Sequence, residues 1–266
     1  MKLYLAGIKS YQLELGIECS AFSDPRLERT IQGIKRDHNE PRTRVRTPLT
    51  RPLLLRILSS DSHSSSYENT VIQAAFTLAF AGFLRVGEFT YRDADREMGP
   101  AFSKWFLTKS CVRLSRSKGH LYLNLPASKT DPFREGIMLT IAASNDNGCP
   151  VRAMTQFLAM DTHRPPNAPL FCVGRENQYP FTREYVVRIL QERATRAGLL
   201  QGSWNGHSFR RGAATWAAEV GMSENEIQTL GRWRSDAYKT YIEYSPGERI
   251  ALSKRFQSQV GRRHGN

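Results

Sequence analysis

The sequence predicts a mostly α fold carrying one small three-stranded antiparallel β-sheet, an α+β arrangement, and two observations lead there. Apolar residues recur at spacings of three and four through most of the chain, as in helices buried by one face. Strict alternation of apolar and other residues is confined to one stretch, from 112 to 141. A length of 266 residues permits a sizeable core and a smaller second part. The 38 Lys and Arg outnumber 25 Asp and Glu for a net charge of +13, which favours a polyanionic partner, nucleic acid ahead of an anionic membrane.

Taken in order, Leu5, Ile8, Tyr11 and Leu15 keep helical spacing up to Gly16, and Asp24 with Pro25 opens a second helix carrying Leu27, Ile31 and Ile34. Residues 1–40 are therefore expected to be a partial helical domain, too short to bury a core unaided. Residues 41–52 read as a basic linker, within a polar stretch from Arg36 to Pro52 where Pro41, Pro48 and Pro52 break the pattern among Arg36, Arg42, Arg44, Arg46 and Arg51. A solvated connection fits this stretch, and so does a strap along a phosphate backbone; the density of Arg favours the strap.

The main domain is expected over 53–266. After a helical pattern at Leu53–Leu58 and a Ser-rich loop, a long helix runs from about Tyr67 to Leu84, with Val71, Ala75, Leu78, Ala79 and Gly82 near one stripe. Arg85 and Glu88 follow it, and Arg85 on its own reads as a cation satisfying carbonyls at the helix end. Strands are marked by Val112 and Leu114, by Leu121, Leu123 and Leu125, and by Ile137, Leu139 and Ile141, with a turn at Ser117-Lys118-Gly119. Lys129 stands at the tip of the second connection, where lysine is an ordinary solubility residue. Helices return at Pro150–Met160, Arg183–Ala197, His207–Val220 and Ser223–Leu230, the last opened by a Ser223 to Glu226 capping box and stopped at Gly231. Arg183, Arg188, Arg193 and Arg196 share one helix as either a solvated or a phosphate-tracking face. Ser235 caps a short last helix carrying Tyr238, Tyr241 and Tyr244.

Cys19, Cys111, Cys149 and Cys172 form no paired spacing, and the histidines show no metal-binding pattern, so neither a metal site nor a disulfide framework is expected. The longest apolar run, Val71–Leu84, is shorter than the roughly 20 residues of a membrane span, and the first residues lack the form of a signal peptide. A soluble protein without cofactor is the expectation.

The chemistry is concentrated between Gly206 and Ser245. Breaking a DNA phosphodiester without a metal needs fixed cations for the nonbridging oxygens, a nucleophile that stays attached to phosphorus, and a proton donor for the departing sugar oxygen. His207 and Arg210 lie one helical turn apart at a helix start, where both can reach a phosphate, while Arg211 turns toward DNA or solvent. Tyr241 can act as the nucleophile, although tyrosines at helical spacing also form packing stripes.

The ordered segments GFLRVGEF, SKTD, GHSFRR, LGRW and KTYI resemble the tyrosine recombinases, the phage integrase family, and especially those of eukaryotic mobile elements such as Cryptons and DIRS-type retroelements, over roughly 46–245. The resemblance implies the integrase catalytic core fold joined to an N-terminal helical domain as a clamp on double-stranded DNA. It implies Arg85 and Arg210 on the scissile phosphate, His207 aiding proton transfer, Lys129 as general acid, Trp233 bonding phosphate or supporting the tyrosine, Tyr241 as nucleophile, and Glu88 buttressing Arg85. In many relatives the His or Trp stands one residue further ahead of the tyrosine, the place Arg232 holds, so Arg232 or Trp233 fills that role. Arg36, Arg42, Arg44, Arg46, Arg51, Arg183, Arg188 and Arg211 are expected to contact DNA. Family clamps carry more N-terminal helices than the two legible here, so a weaker grip on DNA is expected.

The implied activity is site-specific DNA cleavage and rejoining through a 3′-phosphotyrosine, without metal or ATP. A noncatalytic DNA-binding remnant of an integrase and a type IB topoisomerase are the alternatives. The family implies a homotetramer on DNA joined through a C-terminal segment, for which Ile250–Phe256 is the candidate, and a nuclear location in a eukaryote or a cytoplasmic one otherwise.

Overall fold

The computed structural model describes residues 2–37, 47–60, 66–92, 95, 102–127, 131, 135–174, 179–199, 203–242, 247, 249–250 and 253–254. The chain divides into two units, Met1–Val45 and Arg46–Asn266.

In the first unit, α1 (Lys2–Glu14) ends before Gly16, whose φ of 70° turns the chain, and a short 3-10 turn leads to α2 (Pro25–Asp37). Asp24 opens α2 by accepting the Arg26 amide at 2.8 Å. Ile31 is buried, but Ile8, Tyr11 and Leu15, which the spacing would place on a buried stripe, are exposed. Two short helices offer too little facing surface to cover them.

The second unit is organised around α4 (Ser66–Ala81), which packs on α3 (Arg51–Ser59), α6 (Pro150–Met160) and α8 (Ser208–Glu219). Between α4 and α6 come α5 (Phe102–Trp105) and a β1-β2-β3 meander, Val112–Leu114, His120–Leu125 and Ile137–Ala142, antiparallel throughout and registered by Leu123 against Val112 and Leu139. A two-residue pair, β4 (Cys172–Val173) and β5 (Tyr179–Pro180), precedes α7 (Arg183–Arg196), and α9 (Glu224–Gly231) follows α8. The short helix expected from Ser235 is a 3-10 turn, Asp236–Thr240. The mostly helical fold with one small antiparallel sheet is as the sequence predicts.

Because α4 is covered on several sides, it is apolar nearly all round: Val71, Ile72, Ala74, Ala75, Phe76, Leu78, Ala79 and Phe80 are all buried, which is broader than a single stripe. Phe76 meets Phe209 of α8 with ring centroids 4.9 Å apart, and Phe209 and Phe171 both approach Phe89 edge-on. Among the described residues no helix is long and apolar enough to cross a membrane.

The end of the expected linker belongs to this unit. Thr47–Thr50 runs extended beside α8, with the Leu49 amide donating to the Ser208 carbonyl at 3.0 Å and the Leu49 side chain fully buried. The contact is main chain on main chain, because α8 presents Gly212 there, and a Cβ on Gly212 would stand 1.9 Å from the Leu49 carbonyl oxygen. Arg51, expected on DNA, has its guanidinium paired within this unit, with Asp146 at 2.6 Å and with Ser144 at 2.8 Å. Burial opposes ionisation of Asp146, yet Arg51, Ser144 and the Gly148 amide together hold its carboxyl below the ordinary range.

Gly212→Ala is expected to destabilise the second unit by about 1–3 kcal/mol or more, the range for overpacking against a backbone that cannot move aside. A urea midpoint equal to the parent's would contradict the close approach.

Candidate active site

The site begins where α4 stops. Phe83 takes the left-handed conformation at φ 49°, its amide donates to Phe80 and the Leu84 amide donates to Ala79, closing the helix in a position that usually demands glycine. This closure turns the Gly82 and Phe83 carbonyls outward without partners in their own helix. The expectation that Arg85 satisfies these carbonyls is not met. Arg210 Nη1 donates to the Phe83 carbonyl at 2.6 Å, and Arg232 donates to Gly82 at 2.7 Å.

Arg85 instead opens the following 3-10 turn, Val86–Glu88. Glu88 Oε1 accepts the Arg85 guanidinium at 2.9 Å, and Oε2 accepts both the Arg85 amide and Arg232 Nη2, at 2.9 Å each. Glu88 is thus ion-paired with Arg85 and with Arg232.

α9 ends the same way as α4. Arg232, not Gly231, is its left-handed residue, at φ 58°, and the Trp233 amide donates back to Gln228 at 3.0 Å. Gly231 is required for a different reason: a Cβ there would lie 1.5 Å from the Trp233 ring. Arg210 Nη2 donates to the Gly231 carbonyl at 2.5 Å, so one guanidinium joins the ends of α4 and α9. Of the three non-glycine residues with positive φ among the described residues, Phe83 and Arg232 are here, and backbone strain of this kind gathers at functional sites.

The side chains of Arg232 and Trp233 diverge from this cap. Arg232 runs to Glu88, whereas the Trp233 ring lies 4.2 Å from the Arg210 guanidinium carbon and 5.8 Å from the ring of Tyr241. Trp233, and not Arg232, is therefore the neighbour of the tyrosine. Tyr238 is buried under Trp233, and Tyr241 is half-buried at the end of the Asp236–Thr240 turn. His207 stands at the start of α8 with its amide held by Asn205 at 2.9 Å and its ring 6.5 Å from that of Tyr241.

Three guanidinium groups, those of Arg85, Arg210 and Arg232, thus surround one carboxylate among the described residues that pair with them. Burial first, and then the charges of Arg85 and Arg232, push Arg210 down to about 9, and burial and Arg85 lower Arg232 although Glu88 opposes this. The Nε atoms of Arg210 and Arg232 are buried with no hydrogen-bond partner among the described residues. Unpaired buried donors and surplus positive charge together call for an anion.

Lys129 lies outside the described residues, as do Arg42, Arg44 and Arg46, and nothing is described of the Arg36 side chain. On the near side of the Lys129 connection, Asp131 accepts the Gly136 amide at 2.9 Å; Asp131, Glu135, Gln228, Arg232, Trp233 and Arg234 border a cavity of about 470 Å³. The other end of that cavity is thus the Arg232–Trp233 cap. Arg183 is exposed at the first turn of α7, and Arg188 is exposed but paired with Glu192 at 2.9 Å. Arg193 turns inward to Asn69, so α7 does not present all four arginines on one face. Arg211 does not turn away: it is half-buried, with its guanidinium carbon 5.6 Å from the Tyr241 ring centroid. The hydroxyl of Thr215, a buried residue absent from the sequence reading, donates to the Tyr241 carbonyl at 2.9 Å. Among the described residues no group of three or more His, Cys, Asp or Glu is placed to hold a metal.

No protein-family model and no curated protein matches the sequence. In three dimensions the chain is similar to XerA recombinase, at 17% identity and a TM-score of 0.57 over 96% of this chain and 75% of that one. It is similar to XerH site-specific recombinase bound to palindromic difH substrate in a post-cleavage complex, at 14% and 0.56, over 79% of this chain and 52% of that one. The fold is that of the tyrosine recombinase catalytic core. The Tn1549 transposon integrase in complex with transposon right end DNA is a further likeness, at 14% and 0.51, over 81% of this chain and 68% of that one. Identities at this level carry the fold and leave the activity to be argued from the site.

Glu88→Gln keeps the shape of the carboxylate and removes its charge. It is expected to destabilise the second unit by about 3–5 kcal/mol, the range for breaking a buried ion pair, with part of the loss recovered in sulfate. Thermal unfolding in chloride and in sulfate reads both effects; a midpoint that neither substitution nor sulfate moves would show that the cluster lacks surplus charge.

Proposed function

We propose that this protein is a site-specific DNA recombinase that cuts and rejoins strands through a covalent 3′-phosphotyrosine intermediate. The observation that carries the reading is the over-cationic cluster of Arg85, Arg210 and Arg232, with two unpaired buried Nε donors, beside Tyr241. Such a cluster stabilises charge developing on nonbridging phosphate oxygens. Arg85, the least covered of the three, meets the phosphate first. Arg210 is 1% exposed, so DNA must displace the cap at Gly231–Trp233 for its fork to reach the phosphate.

In this reading Tyr241 attacks phosphorus, Lys129 protonates the leaving 5′ oxygen, His207 assists proton transfer, and Trp233 supports Arg210 and the tyrosine. The phosphotyrosyl ester conserves the energy of the broken bond, so rejoining to a 5′ hydroxyl needs no ATP, and the charge stabilisation comes from side chains rather than a metal. The net charge of +13 supports double-stranded DNA as the partner, as do the XerH structure, bound to its difH substrate, and the Tn1549 structure, in complex with transposon right end DNA. Of the described arginines expected on DNA, Arg183 and Arg188 are the exposed ones. The order of the sequence motifs supports a mobile-element origin and, in a eukaryote, a nuclear location. Assembly as a homotetramer on two DNA sites through 250–256 belongs to the same proposal, although most of that segment lies outside the described residues.

A second reading, DNA binding without cleavage, draws on the burial of Arg210. Incubation with a nicked suicide duplex bearing the DNA that flanks the gene separates the two. The parent protein is expected to give an SDS-stable covalent adduct and Tyr241→Phe to bind the duplex without one. Binding without adduct in the parent would sink the recombinase reading.

A further inference from the structure

Three residues of the α8 segment stand at successive four-residue steps, His207, Arg211 and Thr215, and so share one face of the helix. All three address Tyr241. The His207 ring is 6.5 Å away, the Arg211 guanidinium carbon is 5.6 Å from the phenol ring centroid, and the Thr215 hydroxyl donates to the Tyr241 carbonyl at 2.9 Å. Arg210 leaves the same helix one residue earlier, toward Phe83 and Gly231.

We propose that Arg211 and Thr215 are positioning residues for Tyr241: Thr215 fixes its main chain and Arg211 orients its ring, which sets the phenol relative to Arg210. The inference rests on the reading of Tyr241 as the nucleophile. Tyr241 directly follows a five-residue 3-10 turn, Asp236–Thr240, whose bond to the tyrosine is the Tyr241 amide donating to the Tyr238 carbonyl. A turn that short has few internal bonds to hold a side chain in line with a phosphate. A twelve-residue helix that also carries Arg210 supplies the rigid reference, so that nucleophile and phosphate clamp are aligned from one element. Thr215 therefore acts through a hydrogen bond to the main chain, and Arg211 through the attraction of a cation for a ring face.

The test uses the full chain labelled with 3-fluorotyrosine, the Tyr241 line being the one lost in Tyr241→Phe, together with single-turnover adduct formation on the nicked suicide duplex. Thr215→Val keeps shape and removes the hydroxyl; Thr215→Ser restores it. Thr215→Val and Arg211→Gln are each expected to move the Tyr241 fluorine line in the absence of DNA and to slow adduct formation roughly 10- to 100-fold, the scale for misplacing a reacting group by about an ångström. DNA affinity should stay at the parent value, and Thr215→Ser should recover both line and rate. A Tyr241 line unmoved by either substitution overturns the proposal, as does a rate that Thr215→Ser fails to recover. Loss of DNA affinity in Arg211→Gln with an unmoved line makes Arg211 a DNA contact and overturns its part. A parent protein that forms no adduct, with the line moving as expected, removes the strand-transfer reading and leaves the positioning contacts in place.

Discussion

The guanidinium of Arg210 joins the C-terminal ends of two helices, and the site exists because of that junction. The last carbonyls of a helix have no partner within it and carry the negative end of its dipole. α4 and α9 bring such ends together, and Arg210 donates to one carbonyl from each, Phe83 and Gly231. Hydrogen bonds to a charged donor are worth about 1.5–3 kcal/mol each, so this residue fixes the approach of α8, α4 and α9 as much as any packed ring does. Both helix ends use a non-glycine residue in the left-handed conformation, and both put that side chain to use: Phe83 packs edge-on to Trp233, and Arg232 pairs with Glu88.

The same junction explains the electrostatics. Carbonyls offset part of the positive charge of Arg210 and Arg232 by dipoles alone, and Glu88 is left to balance Arg85 and Arg232. The cluster consequently stays short of negative charge, and burial with the neighbouring cations pushes Arg210 down to about 9. A phosphate diester would supply the missing charge, and the Trp233 ring adjoins both the Arg210 guanidinium and the Tyr241 ring.

Much of this was legible in the sequence because it follows from periodicity. The helices from Pro150 and Arg183 and the three strands appear with boundaries close to those observed, since long apolar patterns and proline or glycine stops define them. α5 and the β4–β5 pair are too short to show a period. Motif order brought Arg85, His207, Arg210, Trp233 and Tyr241 to one region, although Arg85 lies far upstream of the others. What pattern could not convey is which partner each arginine takes. Without the motif order Arg85 reads as satisfying carbonyls that Arg210 and Arg232 occupy, the pairing of Arg51 with Asp146 has no sequence signal, and Arg211, read as turned to DNA or solvent, lies beside the Tyr241 ring. Left-handed residues other than glycine are likewise silent in sequence, so the cap at Arg232 was placed at Gly231 and the divergence of Arg232 from Trp233 stayed hidden. The four-residue step from Arg211 to Thr215 was the available signal for the second contact to Tyr241.

Peptide mapping of the covalent DNA adduct identifies the residue that attacks phosphorus. Trypsin would release Tyr241 within Thr240–Arg249 and Tyr238 on a separate peptide, and fragmentation distinguishes Tyr241 from Tyr244. The nucleotide is predicted on Tyr241 through its 3′-phosphate. A nucleotide on Tyr238 or Tyr244, or attached through a 5′-phosphate, would contradict the geometry on which the account stands.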